Sequence, residues 1–361
     1  RIAVIQSTNP LAAIAAVGRA FPPHYCDQSE VTAVVQRLWD RASNTEERIN
    51  ALHRNTRVRG RYLALPLADY VDLDSFSEAN DTYVRVALDI CETAVKQALT
   101  RADLAATDID HIFFVSTTGV ATPSLDARLV NRLGFRADVK RTPIFGLGCA
   151  GGAGGVARAS DYLRAFPAHT ALLVAVEICS LTLQLSDVSV PNMIATGLFG
   201  DAAAAVVLRG AETRREGPEV VASRSIFYPD TERVMGWDVS EAGFRIVLSA
   251  DVPNVVRENL RRDADSFLAD HGLTRADIGC FVCHPGGPRV IEALKEALEI
   301  TDDDLALTWN TLEEVGNVSS ASVLLVLGER LSEEHRPAPG TYGLMTAMGP
   351  GFASELVLLK W

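Results

Sequence analysis

An internal echo constrains this chain more than any other feature. Leu99-Thr100-Arg101-Ala102-Asp103 returns nearly half a chain later as Leu273-Thr274-Arg275-Ala276-Asp277. The surroundings repeat as well. Ala87, Ile90, Cys91, Ala94, Val95 and Ala98 precede the first copy at helical spacing, as Val256, Leu260, Ala264, Phe267 and Leu268 precede the second. Each copy then runs into a β-like stretch, Ile112-Phe113-Phe114-Val115 and Ile278 to Cys283. Each stretch ends in a turn, Ser116-Thr117-Thr118-Gly119 and His284-Pro285-Gly286-Gly287. A second echo pairs Leu198-Phe199-Gly200-Asp201, feeding a strand through Leu208, with Met348-Gly349-Pro350-Gly351, feeding a strand through Leu358. Such a duplicated order predicts an α/β fold with mixed sheets, built from two pseudo-symmetric halves. The halves are expected at 1–215 and 216–361, joined through the charged segment Glu212 to Pro218.

Charge narrows the possible partners. Forty-six acidic residues against 34 basic ones leave a net charge of −12. That disfavours wrapping nucleic acid or an anionic membrane, but leaves room for a local basic patch that binds phosphate. No uncharged apolar run reaches the ~18 residues of a membrane span. Cys26, Cys91, Cys149, Cys179, Cys280 and Cys283 lack the spacing of a disulfide framework, so a reducing, cytoplasmic setting is expected. The chain opens on Arg1 and is read as trimmed, with no signal-peptide pattern at its start. Cys280 and Cys283 form a C-x-x-C inside a strand-like run. Alternation points them to opposite faces, and no second pair stands at metal-ligand spacing. They are read as core.

Three segments carry candidate chemistry. Ile144 to Arg158 is a Gly-rich turn entering a helix, with Cys149 at the elbow. A thiol there feels the positive end of a helix dipole, beside backbone N–H groups able to hold an oxyanion. A buried structural cysteine in a Gly-rich packing site is the competing reading. His284 stands at a strand end, where α/β folds place functional groups, although a lone histidine there is ordinarily structural. Gly316-Asn317-Val318-Ser319-Ser320 precedes an apolar helix and reads on its own as a capping segment. In the repeat it occupies the place of Cys149, so a nucleophile in one half would face His and Asn donors in the other. Arg48, Arg54, Arg57, Arg59 and Arg61 form a basic cluster, read either as a solvated face or as the mouth of a site for a phosphorylated ligand.

Taken together, Gly146-Leu147-Gly148-Cys149-Ala150-Gly151-Gly152, His284-Pro285-Gly286-Gly287-Pro288, Gly316-Asn317-Val318-Ser319-Ser320 and Gly349-Pro350-Gly351 resemble a type III polyketide synthase. This is the chalcone synthase-like branch of the thiolase superfamily. The resemblance spans nearly the whole chain, has a bacterial rather than plant cast, and implies the αβαβα layering of that superfamily. By it, Cys149 takes a starter acyl group from coenzyme A. His284 and Asn317 hold malonyl-CoA and the enolate left by decarboxylation, and His284 pairs with the Cys149 thiolate. The carbanion then attacks the thioester, and the extended chain is cyclised. Phe199 falls at the family's gatekeeper position and Phe244 at a second one. Thr117, Cys179, Thr182 and Ser319 fall where the cavity is lined. Arg48, Arg54 and Arg289 fall at the mouth for coenzyme A. Thr122 falls where the family reaches into a dimer partner's cavity. The resemblance further implies a homodimer, no carrier protein, and no metal or redox cofactor.

Other readings compete. An initiating β-ketoacyl-acyl-carrier-protein synthase shares the Cys/His/Asn set, but typically follows its His with other residues than Pro-Gly-Gly-Pro. A cysteine hydrolase of the papain kind fits poorly with an internal duplication. A non-catalytic scaffold would not need all three of Cys149, His284 and Asn317. Ala347-Met348 and Thr122 depart from the plant pattern, so the motifs leave the product unassigned.

Overall fold

The strand Thr170–Ile178 is buried along its whole length, and its alternate residues serve two different cores. Leu172, Val174 and Val176 face one, while Ala171, Leu173 and Ala175 face the other. A strand covered on both faces needs helices above and below it, which sets the layering of the whole chain. The computed structural model describes residues 11–39, 45–73, 75–214 and 216–361. Arg215, at the expected boundary between the halves, and Arg1 lie outside the described residues.

The described strands are β1 Ala12–Ala20, β2 His24–Asp27, β3 Gly60–Leu63, β4 His111–Val115, β5 Lys140–Ile144, β6 Thr170–Ile178 and β7 Asp201–Arg209 in the first half. The second half holds β8 Glu219–Phe227, β9 Met235–Ser240, β10 Gly243–Leu248, β11 Ile278–Cys283, β12 Tyr342–Gly349 and β13 Ala353–Lys360. The helices are α1 Gln28–Trp39, α2 Thr45–Arg54, α3 Phe76–Arg101, α4 Leu125–Leu133, α5 Gly151–Ala165 and α6 Val190–Leu198, then α7 Val252–Ala269, α8 Pro288–Leu298, α9 Ala306–Val315 and α10 Ser322–Arg330.

Nine strands run in the order β11-β12-β13-β8-β1-β7-β6-β4-β5. The series β1-β7-β6-β4 repeats as β8-β13-β12-β11, with the same sequence of antiparallel, antiparallel and parallel pairings. The two series meet only at Ala12 with Val220 and Ala13 with Glu219. They therefore act as two sheets joined at a corner. One core packs α3 on the first sheet. A second packs α5 and α10 between the sheets. A third packs α7 and α8 on the outer face of the second sheet. This is the αβαβα order that the resemblance implies, built on the two halves expected from the repeat.

The register of the first echo differs from its letters. Leu99 to Arg101 close α3, whereas Arg275 to Asp277 form a 3-10 turn after α7 has ended at Ala269. The structural equivalent of that turn is Ala106–Asp108, which likewise feeds a strand. Asp108 accepts from the Ala105 N–H and Asp277 from the Thr274 N–H, both at 2.7 Å. The helix–turn–strand order repeats as expected, but a longer first helix shifts it along the sequence. No helix among the described residues is long and apolar enough to cross a membrane.

Candidate active site

Past β5 the chain turns through Gly146 and Gly148, with φ of 95° and 49°. Left-handed φ suits glycine, which carries no Cβ to clash. Cys149 sits in the 3-10 turn Gly148–Ala150, directly before α5. The second half repeats the device, a 3-10 turn Ser319–Ala321 before α10. The two turns face each other between the sheets. Gly152 permits this closeness, because a Cβ there would lie 2.3 Å from the Ser320 carbonyl oxygen. Cys149 is buried, and its Sγ–H donates to Ser319 Oγ at 3.7 Å.

Asn317 joins the elements of the site. Its N–H donates to the Leu198 carbonyl at 2.9 Å, and its carbonyl accepts from the Gly200 N–H at 3.0 Å. This clamps it to the chain at Phe199. Its Oδ1 accepts from the Ser319 N–H at 2.8 Å, and its Nδ2 donates to the Gly286 carbonyl at 3.3 Å. The latter carbonyl lies in the loop that begins at His284. His284 leaves β11 with its N–H on the Thr346 carbonyl at 2.9 Å. Cys149, Ser319 and Asn317 are thus linked by hydrogen bonds across both halves, and the loop that begins at His284 meets them at the Gly286 carbonyl; all four residues are buried.

Burial dominates the electrostatics. It pushes the Cys149 thiol up to about 11, against the opposing hydrogen bonds from Ser319 and Asn317. It pushes the His284 imidazole down to about 3. Desolvation thus favours the neutral thiol and neutral imidazole over the ion pair that the resemblance implies. In the resting geometry the thiol's partner is Ser319.

Sequence reasoning missed Glu177. It is fully buried at the end of β6, where burial raises its pKa. It accepts from the Thr117 N–H at 3.0 Å, Thr117 Oγ1 at 3.1 Å and Thr118 Oγ1 at 2.9 Å, and also from Ser320 Oγ of the other half. The signal was present in the sequence, as a lone carboxylate inside an otherwise uncharged strand. Thr117, expected on a cavity wall, instead spends its hydroxyl on Glu177.

A small apolar cavity of about 70 Å³ lies on the Phe199 side of the site. Phe199, Cys179 and Thr182 line it, together with Tyr70, Trp237 and Ile246. Phe244 is absent from its wall. The Phe244 ring packs edge-on against Phe76 of α3, with centroids 5.5 Å apart, and lies 5.9 Å from Trp237. It sits at the turn end of the β9–β10 hairpin, where α3 claims its ring. Two residues on, Ile246 pairs across the hairpin with Trp237, and this pair reaches the cavity.

The five-arginine cluster divides. Arg57 pairs with Glu313 at 2.6 Å and lies over the Trp309 ring, and Arg59 meets Glu314 at 3.8 Å. Arg61 is fully buried. Arg48 and Arg54 on α2, and Arg289 in the first turn of α8, are exposed with no ion-pair partner among the described residues. A Cβ at Gly197 would touch His53, and one at Gly287 would touch Leu198. His53, beside Arg54, and Gly287, two residues before Arg289, therefore both meet the end of α6. All six cysteines are free and buried. No group of three or more His, Cys, Asp or Glu able to hold a metal occurs among the described residues.

Comparison with known proteins agrees with this architecture. The family model for the N-terminal domain of chalcone and stilbene synthases matches residues 2–212, and that for the C-terminal domain matches 219–361. The 1,3,6,8-tetrahydroxynaphthalene synthase of Streptomyces peucetius subsp. caesius is 50% identical over 351 residues, covering 96% of this chain and 93% of the relative. The 3,5-dihydroxyphenylacetyl-CoA synthase of Streptomyces toyocaensis is 32% identical over 364 residues, 98% of this chain and 91% of the relative. The crystal structure of 1,3,6,8-tetrahydroxynaphthalene synthase from Streptomyces coelicolor A3(2), a bacterial type III polyketide synthase, superposes with a TM-score of 0.92 at 33% identity, over 97% of this chain and 99% of that one. With both domain models matched along nearly its full length, the chain belongs to the chalcone and stilbene synthase family.

Proposed function

We propose that this enzyme assembles a polyhydroxylated aromatic product from malonyl-CoA on Cys149. The reaction class is that of a type III polyketide synthase, an acyltransferase that condenses malonyl-CoA iteratively and cyclises the chain. The observation that carries the assignment of roles is the convergence of Cys149, Asn317 and the His284 loop, from two halves, beside an apolar cavity.

In the proposed mechanism the Cys149 thiol gives its proton to the imidazole of His284, and the thiolate attacks the starter thioester. The carbon–sulfur bond to coenzyme A breaks, and the departing thiolate takes up that proton. Malonyl-CoA then loses CO2, and its electron pair moves onto the thioester oxygen as an enolate. N–H donors of His284 and Asn317 hold that oxygen, a task worth most where water is excluded. The Asn317 amide is available for this, since its bond to the Gly286 carbonyl is long at 3.3 Å. The enolate carbon attacks the Cys149 thioester, a carbon–carbon bond forms, and the thiolate is released. Nothing in this sequence of steps calls on a metal or redox cofactor.

The 50% identical relative suggests 1,3,6,8-tetrahydroxynaphthalene as the product. Its naphthalene skeleton divides into two-carbon units, so malonyl-CoA serves as both starter and extender. Trp237 and Phe199, both in the lining, offer flat walls for an aromatic product. Arg48, Arg54 and Arg289 are proposed to meet the phosphates of coenzyme A, and no carrier protein takes part. A homodimer is proposed through the loop at Thr122, where Val120 and Phe145 are 44% and 58% exposed. A cytoplasmic setting matches the coenzyme A substrates and the six free thiols.

The test is incubation with radiolabelled malonyl-CoA and a panel of acyl-CoA starters, without carrier protein, followed by product mass spectrometry. Wild type is expected to give a polyketide from malonyl-CoA alone, and folded Cys149→Ala to give neither acyl-enzyme nor product. A product that forms only when an acyl-carrier protein is added would overturn the reading, as would turnover by Cys149→Ala.

A further inference from the structure

Arg61 is a buried charge beside the site that the chemistry above leaves without a task. It is 1% exposed, and burial lowers its pKa to about 10, so it stays cationic at neutral pH. No carboxylate lies within ion-pair distance of it among the described residues; Asp201 acts on it from farther off. Its partners are instead the carbonyls at the end of α6. Nη1 donates to Thr196 O at 2.9 Å and to Phe199 O at 3.0 Å. Nη2 donates to Gly197 O at 2.8 Å and to Gln28 Oε1. Gln28 Nε2 in turn donates to the same Gly197 carbonyl at 2.9 Å. The last carbonyls of a helix lack intrahelical donors and carry the negative end of its dipole. A buried guanidinium answers both needs, and its planar fork serves three carbonyls and the Gln28 amide oxygen at once, one acceptor more than the three N–H groups of a lysine can reach.

The carbonyls it holds belong to the segment that holds Asn317. Leu198 O and Gly200 N make the two backbone bonds of Asn317, and both lie between or beside the carbonyls that Arg61 grips. We propose that Arg61 is a positioning residue for the decarboxylation half of the reaction. It fixes the end of α6, and through the Phe199–Asn317 bridge it sets where the Asn317 amide stands. Cys149 is carried by a different element, the turn before α5, and meets the braced segment at its thiol, through Ser319. The inference rests on the proposed role of Asn317.

Two readouts separate the halves of the reaction. One is release of labelled CO2 from carboxyl-labelled malonyl-CoA. The other is the rate at which iodoacetamide alkylates Cys149, followed by intact mass. Arg61→Lys keeps the charge but loses the fork. It is expected to lower CO2 release at least about tenfold while alkylation stays within about twofold, since a shift near 1 Å at a reacting group costs up to ~10²-fold. Gln28→Met removes one acceptor of the fork and one donor to Gly197. It is expected to move the ratio of the two readouts in the same direction by about threefold, and it decides the matter should Arg61→Lys fail to fold. CO2 release near wild type in the folded variants, or equal loss of both readouts, would overturn the proposal, because general loosening affects both alike. Asn317→Ala is the reference. If it still decarboxylates, the role of Asn317 fails. If it does not while Arg61→Lys does, only the role of Arg61 fails.

Discussion

Two glycines of α5, about one turn from Cys149, make opposite predictions for the same one-methyl change. A Cβ at Gly154 would meet nothing closer than Leu147 Cδ1 at 3.3 Å and the Glu355 side chain at 3.6 Å. A Cβ at Gly152 would stand 2.3 Å from the Ser320 carbonyl oxygen and 2.7 Å from Val323 Cγ1. Ordinary contact begins near 3.4 Å, so Gly152→Ala forces a separation of roughly 1 Å. Alanine gains about 1 kcal/mol over glycine inside a helix. At Gly154 most of that gain survives, and stability should hold or rise slightly. At Gly152 overpacking costs ~1–3 kcal/mol or more and erases the gain. The displaced element is the turn carrying Ser319 and Ser320, so the groups aligned with Cys149 move with it. Misplacement of that size lowers turnover by up to ~10²-fold. Thermal unfolding and steady-state malonyl-CoA turnover of both variants provide the assay. Turnover of Gly152→Ala within twofold of Gly154→Ala would refute the claim that the contact between the two 3-10 turns sets the site.

Phe199→Leu and Trp237→Ala should change chain length or starter preference in the product spectrum more than they change melting temperature, because both rings border the cavity without being fully buried. An unchanged spectrum would reduce them to packing. His53 and His284 are held neutral by burial, at about 4 and about 3, against 6.5 in the unfolded chain. Below pH 6.5 the unfolded chain therefore binds the extra protons. Stability falls as pH drops toward 4, by at most about 1.4 kcal/mol per pH unit for each histidine. Chemical denaturation at pH 7 and pH 5 measures this, and His53→Gln should flatten the slope; a slope of the opposite sign would contradict it. Arg54→Glu should raise KM for malonyl-CoA about tenfold with kcat nearly unchanged, and wild-type KM should rise with salt. Equal KM values would remove Arg54 from the coenzyme A mouth.

The duplicated halves were legible because each helix–turn–strand unit carries its own periodicity, and periodicity is a local property. Cys149, His284 and Asn317 were legible for a related reason. Each sits at a turn whose backbone requires glycine, asparagine or a small residue, so the local sequence marks the place. The register of the echo was misread, since only the lengths of α3 and α7 show which residues correspond. Phe244 was misplaced by two positions for a similar reason, as the packing of Phe76 and Trp237 decides which ring of the hairpin meets the cavity. Glu177 and Arg61 were passed over or left in a solvated cluster. A charge becomes significant only once it is buried, and burial belongs to the assembled layers rather than to neighbours in sequence. The sequence by itself determined the layered, duplicated architecture and marked the three side chains proposed to react. The tertiary structure alone decided which groups brace them and what shapes the cavity, because those roles arise from contacts between segments far apart along the chain.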